Sequence, residues 1–518
     1  MEKKLRHISM FIGFLGIYIF AGCGYQEKAQ QQEQPLRADE GQVSDVLQWA
    51  LYEGADIPLS IQEELNQKLM KKGLKPVEFV TVTADYPEYW SGDFDYEKLV
   101  QYYLEQVEKS DFDLVTLPQA VLGFEYYPIF VEAGALEPMD SYLETHSSGQ
   151  ELRDAYPEKV WKKLNYEGEV YGALTSDFKY NCYLVSNQTI AGQYGIDLQE
   201  LSRENCLELA AEVGKKEQEN GNSTFIPFFY YPAEKSAERE DSLCKLINIY
   251  GNEGGLEARS ILEDEAYLQE VQRVTRFYQE GIFPGSGQLQ DKGTDEFQEI
   301  AKGNFFLMPV YTYSRESALA QARASYGVPD YLELQAILCP ELNNPFMGWG
   351  AVTGVAAGST RKEEAFAVLA EVYSRGELSD LLVYGREGKE YHWKNGKIVP
   401  SEGSAYNVLV NKLSIGNSFL LSPDQEESLN RKQEVEMLME DIPLSKQTGF
   451  WLDSVCIADQ VMAVNQVYLN HMLFFQGQSE NWEQELEQIR GEAEEAGIQE
   501  ILTAWNQQLD QWQEGERE

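Results

Sequence analysis

The sequence runs to 518 residues with a formal net charge of −44, and 43% of it is hydrophobic and 12% aromatic. That apolar content belongs to a folded chain, and the length calls for two or more lobes. A chain this acidic is repelled by nucleic acid and by anionic lipid headgroups, which excludes both as electrostatic partners. The four histidines, His7, His146, His392 and His471, are spread so that they offer no metal-ligand cluster and little support for a histidine-dependent triad. The six cysteines show no CxxC or CxH spacing, so neither a zinc site nor any cofactor is expected.

The chain starts with the basic residues Lys3, Lys4 and Arg6, followed by an uncharged, mostly apolar run of 13 residues, Ile8 to Phe20. That is the length of a signal-peptide core and falls short of the ~20 residues that span a bilayer. Ala21-Gly22-Cys23 then resembles the bacterial lipobox, with Phe20 where leucine is usual. The resemblance implies a signal peptide over residues 1–22 and a diacylglycerol on Cys23. The competing account is an ordinary secretory leader with a chance cysteine. Residues 23–43, rich in Gln, Glu and Ala and without apolar periodicity, read as a flexible tether. The expected location is therefore the extracellular face of the cell membrane, held by two acyl chains and not by a basic patch. Cys182, Cys206, Cys244, Cys339 and Cys456 remain, an odd number for which buried packing is the expectation.

Ser44 to Glu53 reads as a first strand. Ile57 to Lys72 reads as an amphipathic helix with Ile61, Leu65 and Leu69 at four-residue spacing, closed by Gly73. Pro76 to Thr83 is the second strand, Phe94 to Lys109 the next helix and Phe112 to Leu117 a third strand. This alternation predicts a parallel α/β lobe whose ligands sit off the carboxyl ends of the strands, at the loops 84–90 and 118–127. Further on, Leu198 to Gln218 and Asp264 to Glu280 read as helices, the second ended by Gly281. Phe225 to Tyr231 is an aromatic run, strand or cleft edge. Gly303 to Val310 reads as a strand re-entering a sheet, and Asn481 to Gln513 as a long charged helical region on the outside. No internal repeat of fixed period is present.

Several segments carry a resemblance in a shared order. They are FVEAGALEPMDSYL from Phe130 to Leu143, YPEKVW from Tyr156, YEGEVYG from Tyr166, YNCYLVSN from Tyr180 and YGIDL from Tyr194. YGREGKEY from Tyr384, NGKI from Asn395 and GNSF from Gly416 follow. Together they are similar to the extracellular solute-binding lipoproteins of Gram-positive ABC importers, in the carbohydrate-binding branch, over most of residues 45–420. The resemblance implies an α/β, two-lobed periplasmic-binding-protein-like fold of type II, with a ligand cleft between lobes joined by a hinge. On that plan, lobe 1 comprises 44–174 with about 303–355, and lobe 2 comprises 175–302 with about 356–480, before a C-terminal helical region at 481–518. It further implies a monomer that is not an enzyme. Such a protein captures a small solute, foremost an oligosaccharide, and hands it to ABC permease subunits.

Sugar recognition needs rings for C–H faces and carboxylates or amides for hydroxyls. Four places are candidates. Asp85, Tyr86 and Trp90 follow the second strand. Asp177 and Tyr180 lead into the second lobe, where a plain solvent-exposed turn is the competing account. Tyr311 and Tyr313 follow the strand from Phe305, where packing of both rings in the core competes. Trp349 is flanked by Gly348 and Gly350, which suits close backbone approach or a tight bend around a core ring. Two rival functions stay open. One is an enzyme resembling thiaminase I on the same scaffold, with Cys182 as nucleophile. The other is a peptide-binding or sensory lipoprotein.

Overall fold

The alternation of strand and helix after the tether is present in the computed structural model, which describes residues 45–52, 55–83, 96–117, 126–175, 181–229, 239–240, 244–252, 255–343 and 350–515. Contacts divide the chain into two units. One is Met1–Asp177 with Gly348–Trp393 and Pro400–Leu421, and the other is Phe178–Met347 with Lys394–Val399 and Ser422–Glu518.

The first unit begins with β1 (Leu47–Tyr52), α1 (Leu59–Lys71), β2 (Val77–Val82), α2 (Tyr96–Lys109) and β3 (Leu114–Thr116). β1 lies between β2 and β3 and is parallel to both. Ile61, Leu65 and Leu69 of α1 are fully buried, as their spacing on one helical face requires. Gly73 ends this helix at φ +77°, its N–H donating to Met70 O while the Leu74 N–H reaches Leu69 O. That pair of bonds satisfies carbonyls that a helix end leaves open. Helix α3 (Tyr126–Glu132) ends in the same way at Gly134, and the hairpin β4 (Asn165–Tyr166) to β5 (Glu169–Val170) turns through Glu167 and Gly168, both at positive φ. β6 (Ala173–Leu174) follows.

The second unit takes over with β7 (Asn181–Asn187), α4 (Arg203–Glu219), β8 (Ile226–Phe228), β9 (Arg239–Glu240), β10 (Ile247–Asn252), β11 (Gly255–Ser260), α5 (Glu265–Gln279), β12 (Phe305–Thr312), α6 (Arg315–Ala324) and β13 (Leu334–Leu338). Its main sheet runs β13-β7-β12-β8, and an antiparallel sheet runs β11-β10-β9. Helix α4 starts five residues later than its periodicity suggests. A short 3₁₀ turn, Leu198–Glu200, comes first, and Ser202 then caps α4 in a reciprocal box with Asn205.

β12 overturns part of the expected lobe boundaries. It pairs with β7 from Leu307↔Ser186 to Thr312↔Asn181 and with β8 on its other side, so residues 303–347 belong to the second unit and not to lobe 1. The chain returns to the first unit only at Gly348, and residues 356–393 belong there and not to lobe 2. Phe305 to Val310 is buried throughout. An apolar run of that kind fits the middle of either sheet, so its sequence does not name its neighbours.

The returning strand β14 (Val352–Val355) inserts antiparallel between β3 and β6, completing the order β2-β1-β3-β14-β6. A buried hydrogen-bonded chain crosses this sheet. Trp49 Nε1 donates to Thr116 Oγ1 at 2.8 Å, Thr116 and Thr353 share a hydroxyl bond of 2.7 Å, and Thr353 joins the Tyr373 hydroxyl at 2.5 Å. Beside it, Asp113 is 2% exposed and pairs with the Arg361 guanidinium through both Nε and Nη2. Its carboxylate also accepts the Gln48 N–H and the Ser359 hydroxyl.

Two of the motifs have local structural roles in this unit. After α7 (Lys362–Ser374) and α8 (Gly376–Tyr384), Gly385 turns at φ +86° against Glu390, whose carboxylate receives the Arg386 N–H and guanidinium. Asn417 is fully buried, donates its amide to Tyr373 O and Ala155 O, and accepts from the Phe419 N–H.

The chain ends in the second unit with α9 (Arg431–Asp441), α10 (Ala458–Asn470), α11 (Trp482–Glu495) and α12 (Ile498–Gly515). Residues 481–518 are therefore part of that unit and not a separate outer region. The charges occupy one face, and Leu486, Ile489, Ile498, Ile501, Trp505 and Leu509 form a buried stripe on the other. No helix among the described residues is long and apolar enough to cross a membrane. Replacing Arg361 by Met leaves the Asp113 charge buried without its cation. Urea denaturation is expected to show a loss of about 3 kcal/mol.

Candidate ligand-binding site

In the first unit, β1, β2, β3 and β6 run the same way and β14 runs against them. One edge of this sheet thus collects the carboxyl ends of four strands and the amino end of β14. The segments attached there are 53–54, 84–95, 118–125, 176–180 and 344–349. Asp85, Tyr86 and Trp90 belong to the second, Asp177 and Tyr180 to the fourth, and Trp349 to the last. All six lie outside the described residues. The topology fixes the strand ends that carry them, and Thr175 is fastened by its hydroxyl to Gly416 O at 2.6 Å.

In the second unit, β8, β12 and β13 share one direction and β7 opposes them. The edge at their carboxyl ends is where Tyr311 and Tyr313 sit. Tyr311, half-buried, faces Cys182 in the β7 register and packs against the core that contains Phe306 and Leu307. Tyr313 is 6% exposed. Its hydroxyl donates to Glu427 Oε1, and Arg431 holds the other carboxylate oxygen at 3.1 Å while lying 5.4 Å from the ring centre. The Tyr313 hydroxyl is therefore committed to an internal acid. Two amides that sequence reading did not single out belong to the same edge. Asn343 donates to Asn181 Oδ1 at 3.1 Å, and its own Oδ1 accepts the Cys182 N–H at 2.8 Å. Nothing in the local sequence marks this pairing across 162 positions.

Cys182 is fully buried in an apolar core that also holds Cys206 and Cys339. Burial pushes the Cys206 thiol up to about 12, and the Cys339 thiol also lies well above its ordinary value, through burial and then the neighbouring Cys182. A nucleophilic cysteine needs access and a stabilised thiolate. Cys182 is fully buried and has no such access, so the enzyme reading loses its nucleophile. Among the described residues no group of three or more His, Cys, Asp or Glu is placed to hold a metal ion.

Glu296 is a second group that the sequence did not reveal. It precedes Phe297, whose ring packs edge-on against Phe229 just beyond β8. Glu296 is 9% exposed, and its Oε2 has no hydrogen-bond partner among the described residues. Burial, helped by Asp295, raises its carboxyl from 4.5 to about 7, against the bond from its own backbone. The fold thus favours the protonated form. The stability this carboxyl contributes is whole below about pH 4.5 and is lost as pH rises through about 7. Glu296→Gln, which mimics the protonated acid, is expected to exceed the unsubstituted protein by about 2–3 kcal/mol at pH 8 and by little at pH 4, measured by denaturant titration.

Comparison with solved structures identifies the architecture. The chain is similar to the N-glycan transport solute-binding protein NgtS from Streptococcus pneumoniae, with 15% identity, 90% of this chain and 98% of that one covered, and a TM-score of 0.61. An extracellular solute-binding protein from Bifidobacterium longum subsp. infantis matches at 11% identity, with 90% and 98% coverage and a TM-score of 0.56. An HMO-binding, ABC-transporter-associated solute-binding protein from Bifidobacterium longum infantis matches at 14% identity, with 90% and 98% coverage and a TM-score of 0.54. A family model described as a domain of unknown function, DUF3502, matches residues 446–514. No curated protein matches the sequence. The chain has the two-domain α/β fold of the solute-binding proteins.

Proposed function

We propose that this chain is the lipid-anchored extracellular receptor of an ABC importer and that its solute is an oligosaccharide. The observation that carries the reading is the match along nine-tenths of the chain to almost the whole of the N-glycan transport solute-binding protein NgtS. The similarity to the HMO-binding, ABC-transporter-associated protein supports the same solute class and a permease as partner. Asp85, Tyr86, Trp90, Asp177, Tyr180 and Trp349 sit on segments attached to strand ends along one edge of the first sheet, where α/β folds take their ligands. Aromatic faces there would stack on sugar C–H groups, and the two aspartates would accept hydroxyl hydrogens. Tyr311 and Tyr313 lie at the carboxyl-end edge of the second unit's own sheet, and with the Tyr313 hydroxyl committed to Glu427 that ring would offer a face to a sugar more than a hydrogen bond. Capture requires no bond making, only a higher affinity for one arrangement of the protein than for another.

The test is a thermal-shift screen of the purified protein against oligosaccharides, peptides and vitamins, because a specific ligand raises apparent stability. Oligosaccharides are expected to raise the melting temperature, and Trp90→Ala and Trp349→Ala each to weaken binding by roughly 3- to 10-fold in calorimetry. A rise with peptides alone would overturn the carbohydrate assignment.

Cys23 would carry the anchor, and two acyl chains suffice for stable attachment. In cells, Cys23→Ala is expected to move the protein from the membrane fraction into the medium. Retention at the membrane would refute the lipid anchor and leave solute binding untouched.

A further inference from the structure

Strand β11 forms an outer edge of the antiparallel sheet β11-β10-β9, with its register against β10 set by Asn248↔Arg259 and Tyr250↔Glu257. Alternate residues of such a strand turn their backbone groups away from the ladder. On β11 these are Leu256 and Ala258, and each meets a carboxamide from helix α12. Asn506 Oδ1 accepts the Ala258 N–H at 2.8 Å, and Asn506 Nδ2 donates to Ala258 O at 2.9 Å. Gln513 Oε1 accepts the Leu256 N–H at 2.7 Å, and Gln513 Nε2 donates to Leu256 O at 3.2 Å. A third amide on α12 does the same elsewhere: Gln508 accepts the Asp453 N–H at 2.8 Å and donates to Asp453 O at 2.9 Å.

A primary carboxamide offers one acceptor and a donor on the same side, so a single side chain answers the N–H and C=O of one residue. An antiparallel strand would answer them in the same way. Asn506 and Gln513 are seven positions apart and share a helical face, so they address one strand together. The strand is fitted to them as well. Gly255 has φ +131°, and a Cβ there would lie 2.0 Å from Gln513 Oε1. The apolar stripe of Ile501, Trp505 and Leu509 buries the helix against the unit and holds the amides in place.

We infer that the C-terminal segment, residues 446–514, acts as a surrogate edge strand, with the carboxamides of α12 closing β11 against strand addition. An open strand edge is a template for pairing with another chain. A carboxamide ladder on a helix occupies the edge without creating a new one, because the helix satisfies its own backbone. This gives the DUF3502 segment a function in this protein that is separate from contact with solute.

The test is hydrogen exchange of the full-length protein resolved to single amides. In the unsubstituted protein, Leu256 and Ala258 are expected to exchange slowly, as amides inside a ladder do. Asn506→Leu with Gln513→Leu is expected to speed both by roughly 10-fold, while Glu257 and Arg259, which face β10, change by less than about 2-fold. The single variants guard against general destabilisation: Gln513→Leu should release Leu256 alone, and Asn506→Leu Ala258 alone. Fast exchange of Leu256 and Ala258 before substitution, no change after it, or an equal rise at all four amides would overturn the assignment.

Discussion

The buried carboxylate of Asp113 is the point on which the first unit depends. It stands at the start of β3, receives the Gln48 N–H from β1, and is neutralised by Arg361, which arrives only after residues 178–347 of the second unit. A charge taken out of water must be paired, and removing its partner costs far more than the pair itself contributes. The pairing therefore acts as a condition on assembly. The returning chain has to place Ser359 and Arg361 over Asp113, and in doing so sets β14 beside β3 in the register that brings Thr353 to Thr116.

That dependence explains what the sequence made legible. Local features were readable. The helix over Leu59–Lys71 shows itself by its apolar spacing and Gly73, and the parallel order of β1, β2 and β3 by strand–helix alternation. Partners across long separations were not. The apolar run Phe305 to Val310 of β12 could belong to either sheet, and the lobe boundaries drawn at about 303 and 355 differ from the observed units for that reason. Tyr313 could be marked as an aromatic residue after a strand, but its acid partner Glu427 lies 114 positions away. The amphipathic stripe of α12 is periodic, whereas the reason for asparagine at 506 and glutamine at 513 exists only once β11 lies alongside.

The interior keeps its thiols and charges out of contact with solvent. The described cysteines are buried except Cys456, and Cys206 and Cys339 have thiols that burial keeps protonated. Arg431 and Glu427 neutralise one another beneath Tyr313, so the charges at that edge are spent on each other and on holding the ring.

The Asn181–Asn343 bond also bears on how the protein reaches its folded state. Thr116 and Thr353 are 237 positions apart, and closing a loop of that length in one step costs about 5 kcal/mol of chain entropy. The main sheet of the second unit is contiguous from β7 to β13 and needs nothing from β14. Once it forms, the Asn181–Asn343 amide pair and the Cys339–Cys182 backbone bond hold its incoming and outgoing chains side by side. The long loop is thereby replaced by the short stretches between Leu174 and Asn181 and between Asn343 and Val352. With that sheet in place, bringing β14 to β6 costs only a hairpin-sized closure.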